Sequence, residues 1–150
     1  MELKSLLVDS KTTWVEFPGL DGFEVELANL SRKELVALRK RCTNNKFNRK
    51  TRGFEETLDD EKFVVEFTNA TVKGWKGLKL KYLEDLVLVD LKGHDPDNEM
   101  PFDMNNATEL VENSSEFDNW LNEVVFDLDN FRTAEQKENS KKAGGVPGPQ

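Results

Sequence analysis

The stretch Ser114–Phe131, SSEFDNWLNEVVFDLDNF, carries the strongest periodic pattern in this chain of 150 residues. Polar groups such as Asp118 and Asn122 share one side of a helical projection of this stretch. Its large apolar residues recur three or four positions apart, as one face of an α-helix requires: Phe117, Trp120, Leu121, Val124, Val125, Leu128 and Phe131. Ser114 or Ser115 can cap the first turn. We therefore predict an amphipathic helix that runs to Phe131 with its apolar face in the core.

Phe126 does not belong to that apolar face, although it lies within the same predicted helix. A large apolar side chain on the outer side of an acidic helix forms either a second packing surface or a contact with a partner. Phe126 is therefore the one candidate partner-binding residue that the sequence offers.

The beginning of the chain has a different periodicity, with apolar and polar residues alternating. Thr13, Val15 and Phe17 alternate with Trp14 and Glu16, and a second run alternates in the same way: Phe23, Val25 and Leu27 with Glu24 and Glu26. Residues 18–22, Pro-Gly-Leu-Asp-Gly, have the composition of a turn. A period of two on both sides of a turn predicts a β-hairpin over about 12–28 with one buried face.

Further helices are predicted between this hairpin and the last helix. Ser31 and Glu34 form a capping box, with Leu30 and Leu35 placed as a hydrophobic staple, and that helix ends near Thr43. Residues 46–56 are predicted to be a polar loop. Three more helices follow in the prediction: one capped by Thr57 or Asp60 that stops near Gly74 and Gly77, a short one through Leu80, Leu83, Leu86 and Val87, and one that begins at Asp103. Residues 88–91 fit either the end of a helix or a strand, and residues 93–98 are predicted to be a loop.

The predicted fold class is therefore α+β and mainly α, with an N-terminal β-hairpin followed by about five helices. A chain of this length fits one domain, and we place a single globular domain at residues 1–132. Residues 133–150 contain only Ala134, Ala143 and Val146 as apolar residues apart from prolines. Such a segment cannot offset the entropy of ordering, which predicts a disordered C-terminal tail.

Charge is unevenly distributed along the chain. Residues 32–52 hold nine Lys or Arg and one acid, whereas residues 93–131 hold eleven acids and no Lys or Arg, within a net charge of −8. The net charge disfavours nucleic acid and anionic membranes as main partners. The basic segment is interpreted mainly as a solvated surface that complements the acidic helices. The alternative is nucleic-acid binding, with Phe47 or Phe54 stacking on a base.

No catalytic, metal-binding or cofactor-binding residues are predicted, so the chain is not expected to be an enzyme. A nucleophilic site would need its single histidine, His94, beside a nucleophile, but His94 falls in a predicted loop and Cys42 on a buried helical face. Asp95, Asp97 and Glu99 resemble the start of a calcium-binding EF-hand loop. However, the required Gly and Glu are replaced by Met100 and Asn106.

The sequence also indicates a cellular setting. Cys42 is the only cysteine, so an intrachain disulfide is excluded. Residues 1–10 lack the apolar run of a secretion signal, and no stretch approaches the roughly 18 apolar residues that span a bilayer. We expect a reducing, cytosolic environment and no membrane partner.

Three stretches resemble a known protein family. They are Leu30-Ser31-Arg32-Lys33-Glu34-Leu35 leading into Lys46-Phe47-Asn48-Arg49, then Lys73-Gly74-Trp75-Lys76-Gly77-Leu78, and Pro101-Phe102-Asp103 with Asn106-Ala107 and Trp120. Together they are similar to the tail assembly chaperones of long-tailed, siphovirus-type bacteriophages. The resemblance covers roughly residues 14–131 and includes helix caps and packing residues rather than a catalytic signature.

This resemblance implies a chaperone that keeps the long, helical tape measure protein soluble while subunits of the major tail tube protein are recruited. The family acts in the host cytoplasm and is absent from the mature virion. A frameshifted longer form, which contacts the tube protein, is common in it, and Lys141-Lys142 fits an A-rich slippery run in the gene. Two alternatives remain open: a nucleic-acid-associated protein that uses residues 32–52, or an acidic decoy that mimics nucleic acid through residues 95–129. Self-association of the chain is left open as well.

Overall fold

The computed structural model describes residues 1–8, 11–133 and 136. Its strands are β1 (Thr12–Glu16), β2 (Glu24–Ala28), β3 (Thr43–Asn48), β4 (Gly53–Leu58) and β5 (Val72–Lys76). Its helices are α1 (Arg32–Arg41), α2 (Asp60–Thr71), α3 (Leu80–Leu86), α4 (Met104–Asn113) and α5 (Ser115–Val125), with short 3₁₀ turns at Leu3–Leu6 and Leu128–Phe131. The predicted α+β class, with an N-terminal hairpin and five helices, is confirmed.

The hairpin predicted at the N-terminus forms part of a three-stranded antiparallel sheet in the order β1-β2-β5. Val25 and Leu27 of β2 are fully buried, whereas Glu24 and Glu26 on the opposite face are only partly covered. The Phe17 amide closes the hairpin turn by donating to the Phe23 carbonyl at 2.8 Å. The predicted alternation of buried and exposed residues is therefore confirmed.

The buried face of this sheet packs on α5 through aromatic side chains. The ring of Phe117 stacks on Phe17 and Phe23, with centroids 6.0 and 6.4 Å apart, and Trp120 meets Phe17 edge-on at 4.9 Å. Phe23 and Phe117 are both fully buried. This cluster joins the N-terminal hairpin to α5. The Leu30 amide, which donates to the Val125 carbonyl at 3.2 Å, adds a backbone link.

Most of the predicted helix starts are confirmed by their caps. The hydroxyls of Ser31 and Ser114 and the carboxylate of Asp103 each accept from an amide three residues later, at 3.1, 3.1 and 2.7 Å. The start of α2 was predicted wrongly, because Asp59 caps it by accepting from the Lys62 amide at 3.1 Å. Thr57 cannot cap this helix, since it lies in strand β4.

The end of α2 also differs from the prediction, because the helix stops at Thr71 and residues 72–76 form strand β5. β5 pairs with the free edge of β2, with a register irregularity between Glu26 and Leu27. Pairing at that edge satisfies backbone groups that a longer helix would have left unpaired. Residues 88–91, for which the sequence left two alternatives, form neither helix nor strand.

The predicted polar loop at residues 46–56 is instead most of a second hairpin, β3–β4, which we call the arm. Phe47 pairs with Phe54 and Lys46 with Glu55 across its two strands. Apolar and polar residues do not alternate in these strands because almost every residue of the arm is exposed on both faces. The pattern that identifies a strand with one buried face was therefore absent.

The last predicted helix is shorter than its apolar pattern suggested. α5 ends at Val125, and the Asp127 carboxylate accepts from the Asp129 amide at 3.0 Å to begin a 3₁₀ turn. Asn130 also donates to the Val124 carbonyl at 3.1 Å, which satisfies one of the last carbonyls of the helix. Leu128 is consequently exposed instead of buried, while Phe131 still packs against the core. The predicted tail lies outside the described residues, apart from Thr133 and Gln136.

Gly77 holds the β5–α3 connection against the turn of the first hairpin, which gives a test of the fold. Its φ is +74°, and an added Cβ would collide with the carbonyl oxygen of Gly22. We expect Gly77→Ala to lower the free energy of unfolding by about 3 kcal/mol or more, through strain and the collision together. Gly93, with φ +84° and open space around it, is the matched control, and Gly93→Ala should cost about 1–2 kcal/mol. Urea denaturation measures both, and equal losses would contradict this packing.

Candidate interaction site

An apolar cavity of about 470 Å³ lies between β5, α3 with the segment that follows it, and α4. Three polar residues of α4 also line it: Asn106, Glu109 and Asn113. The remaining lining is apolar and comprises Trp75, Leu78, Leu83, Val87, Leu88, Val89, Met100 and Leu110. Mostly apolar walls with a few polar groups are typical of sites that bind ligands or side chains of a partner.

The walls of this cavity are held by a loop that is tied to the start of α3. The amides of Leu80 and Lys81 donate to the carbonyls of Asn98 and Pro96 at 2.8 and 3.0 Å. The Met100 amide donates to the Leu78 carbonyl at 2.7 Å, and the Met100 carbonyl accepts from the Trp75 indole at 2.9 Å. These bonds place Met100 and Trp75 side by side in one wall.

An exposed ion pair joins the same loop to α3. The Lys81 ammonium lies 3.1 Å from the Asp97 carboxylate, and this charged hydrogen bond raises the pKa of Lys81 and lowers the pKa of Asp97. Because the folded-state pKa of Asp97 is lowered, the contribution of the pair is present above the ordinary pKa of the carboxyl. It is lost as the pH falls through the lowered value. Both groups are exposed, so we expect this pair to affect stability only weakly.

The opening of the cavity carries two apolar side chains that the core does not use. Leu88 is fully exposed and Val89 is 41% exposed, although both belong to the cavity lining. They occupy the irregular segment after α3, where Val87 still packs against the core. Apolar side chains grouped at the mouth of an apolar cavity are typical of interaction surfaces.

The arm also carries apolar side chains that the fold leaves uncovered. The rings of Phe47 and Phe54 meet edge-on with centroids 5.6 Å apart, and they are 57% and 75% exposed. The turn beyond them, residues 49–52, contains Arg49, Lys50 and Arg52. The arm therefore presents a pair of aromatic rings next to a basic tip.

The basic segment does not complement the acidic helices in the way that the sequence suggested. Among the described residues, its one salt bridge joins Arg41 to Glu66 of α2 at 3.6 Å, and Arg39 lies over the ring of Phe63. No salt bridge within the described part of the chain includes a cation of the arm: Lys46, Arg49, Lys50 or Arg52. The positive charge of the arm is thus available to an external partner.

The residues singled out in the sequence have distinct places in the fold. Phe126 caps the end of α5, is 41% exposed and lies 6.3 Å from the ring of Phe67 in α2, so it packs within the chain as well as facing solvent. Cys42 is buried at the end of α1, and His94 is exposed in its loop, as predicted. Within residues 1–8, 11–133 and 136, no cluster of three or more His, Cys, Asp and Glu is placed to hold a metal ion.

Sequence reasoning missed both the cavity and the arm. The cavity combines residues from three separate segments, which no local pattern reveals. The one signal for the arm was the placement of Phe47 and Phe54 at similar distances from a basic turn.

None of the described helices is long and apolar enough to cross a membrane. Searches of protein-family models, curated proteins and solved structures find no match to this chain.

The packing of Phe126 on Phe67 predicts how the two residues differ on substitution. Phe67 is almost fully buried, so Phe67→Ala should cost about 3–5 kcal/mol of unfolding free energy. Phe126→Ala removes a half-exposed ring and should cost roughly 1 kcal/mol. Urea titrations followed by tryptophan fluorescence compare the two variants. A Phe126→Ala variant as unstable as Phe67→Ala would show that Phe126 is a core residue and not a surface residue.

Proposed function

We propose that this protein is a non-catalytic tail assembly chaperone of a long-tailed bacteriophage, which binds the tape measure protein in the host cytoplasm. The single observation that carries the proposal is the open apolar cavity with Leu88 and Val89 at its mouth. The resemblance of residues 14–131 to such chaperones is the reason for choosing the tape measure protein as the client. The cavity supplies a surface on which apolar side chains of that client would be held.

The chemistry of the client fits this cavity. A long helix that will later line a tail tube exposes apolar side chains before assembly, and such helices bind by inserting spaced side chains into an apolar groove. The side-chain amide nitrogens of Asn106 and Asn113 already donate within the chain, but their Oδ1 atoms can accept hydrogen bonds from polar groups of the client next to the inserted side chains. A few apolar side chains at a time would be covered by each chaperone copy.

Charge on the same part of the chain supports the solubilising role. Glu109 lines the cavity, and Glu112 is exposed on the same helix. Both belong to residues 93–131, which contain eleven acids and no Lys or Arg. A client covered by such surfaces acquires negative charge, and repulsion between like-charged complexes opposes aggregation.

The proposal includes recruitment of the major tail tube protein through a frameshifted longer form. Its support is the family resemblance together with Lys141-Lys142, which an A-rich slippery run would encode. Sequencing the gene tests this part separately. If the gene lacks a slippery heptamer and an overlapping downstream frame, the two-product hypothesis is wrong for this chain, while binding of the tape measure protein is unaffected.

A nucleic-acid-associated role is the second candidate, because the cations of the arm make no salt bridge within the described part of the chain. It makes a distinct prediction about salt. Binding of DNA or RNA through phosphate contacts weakens steeply as the salt concentration rises, whereas apolar side chains in a cavity are held with little dependence on salt. A titration at two salt concentrations therefore separates the two candidates.

The chaperone role predicts that this protein keeps its client soluble on co-expression. The client to test is the protein encoded by the long gene that is expected just downstream. Leu88→Glu combined with Val89→Glu should reduce the soluble client, because the new carboxylates at the mouth of the cavity would have to lose water when the client covers them. We expect binding to the client to weaken at least tenfold, equivalent to about 1.4 kcal/mol. Soluble client after centrifugation and affinity by calorimetry provide the readouts.

Val36→Glu combined with Val65→Glu is the matched control, because these valines are 39% and 41% exposed and lie outside the cavity lining. This control variant should retain client binding. If the unmodified protein fails to improve the solubility of the client, the chaperone proposal is wrong. If the cavity and control variants lose binding equally, the cavity is not the client site.

A further inference from the structure

The contacts that the arm makes within its own chain do not account for its exposed aromatic pair and its basic tip. A two-stranded hairpin is marginally stable by itself, and this one has few buried residues to support it. Nevertheless Phe47 and Phe54 point to the same side of it, since they are directly paired across the strands. An aromatic pair on a projecting hairpin indicates an anchor that inserts into a partner.

The charge of the arm specifies the kind of partner. Arg49, Lys50 and Arg52 surround the tip, and none of them makes a salt bridge within the described residues. A matching surface is therefore apolar at its centre and acidic around it. The cavity has this chemistry on its α4 side, because its walls are mainly apolar, Glu109 lines it and α4 belongs to the acidic residues 93–131.

The dimensions of the two features are also compatible. A strand of six residues spans roughly 20 Å at about 3.3 Å per residue, which is enough to carry the tip away from α1 and α2 and into a neighbouring molecule. The cavity of about 470 Å³ is within the size range of sites that enclose ligands larger than one side chain. Phe54, at 75% exposure, does not occupy the cavity of its own chain.

We propose that the arm of one copy inserts Phe47 and Phe54 into the apolar cavity of a second copy. The arm cations then face the acidic surface of α4 in that copy. The donor surface and the acceptor surface differ, so the contact is heterologous: each copy can give one arm and receive another. Successive contacts build a ring or an open chain of copies.

The contact between copies does not depend on the proposed chaperone function. One consequence of this contact, however, rests on that function. The arm and the client would use the same cavity, so an arm from a neighbouring copy covers Leu88 and Val89 until a client displaces it. Under this arrangement the apolar cavity is protected from aggregation while no client is bound.

Sedimentation velocity of the full chain over a concentration series tests the contact. The arm variant is Phe47→Ser with Phe54→Ser, and the cavity variant is Leu88→Glu with Val89→Glu. We expect the unmodified chain to associate and each variant alone to associate at least tenfold more weakly. Circular dichroism verifies that both variants fold. Val36→Ser with Val65→Ser, at similarly exposed positions outside both surfaces, should associate as the unmodified chain does.

A mixture of the two variants provides the sharper test. The arm variant keeps its cavity and the cavity variant keeps its arm, so one complementary pair of surfaces remains. An equimolar mixture should form a one-to-one dimer and no larger species, because the remaining two surfaces are both disabled. Two-colour detection with one labelled variant identifies the mixed dimer.

Three results would overturn this proposal. The unmodified chain could remain monomeric at concentrations on the order of 100 µM, which would exclude even a weak contact. Either variant alone could associate as strongly as the unmodified chain. A poly(dT) oligonucleotide could bind the unmodified chain in a salt-sensitive way that the arm variant loses, without self-association, which would assign the arm to nucleic acid. Failure of the client to bind would contradict the chaperone role and leave these outcomes unchanged.

Discussion

The packing of Phe17 and Phe23 on Phe117 is the contact on which the rest of the fold depends. It joins distant parts of the described chain, because the first two rings flank the turn of the N-terminal hairpin and the third lies in α5. Without it, β2 would lose the cover that α5 gives to its buried face, and α5 would lose its contact with the sheet. α4, which packs on α5, would then be left without one side of its support.

The same core leaves the mouth of the cavity and the arm uncovered. The sheet has one buried face, and α5 covers it with closely packed rings. Leu88 and Val89 are left at the mouth of a cavity beside α4. The arm leaves the core altogether, because its strands pair only with each other. Apolar groups that a fold does not bury are free to take part in binding, which is the physical basis of both proposals.

Charge separation gives these two surfaces opposite characters. The arm cations make no salt bridge with the described acids, and residues 93–131 supply eleven acids without a balancing Lys or Arg. A fold in which the two halves neutralised each other would have little electrostatic preference for a partner. Here the basic tip favours acidic surroundings, while the acidic surface of α4 beside the cavity repels polyanions. Charge thus selects partners, and the apolar groups provide the area to hold them.

Local sequence patterns were sufficient to predict the helices and strands that bury one face. The alternation around Pro18–Gly22 predicted the first hairpin, and the caps at Ser31, Asp103 and Ser114 predicted three helix starts, because both signals depend on neighbours within a few residues. Only the tertiary structure decided the rest. β5 exists because the edge of β2 needs a partner, α5 stops at Val125 because Asp127 and Asn130 redirect the chain, and the arm has no buried face to produce a periodic pattern. The cavity combines side chains from β5, α3 and α4, whose proximity is set by packing between distant segments and not by the sequence of any one of them.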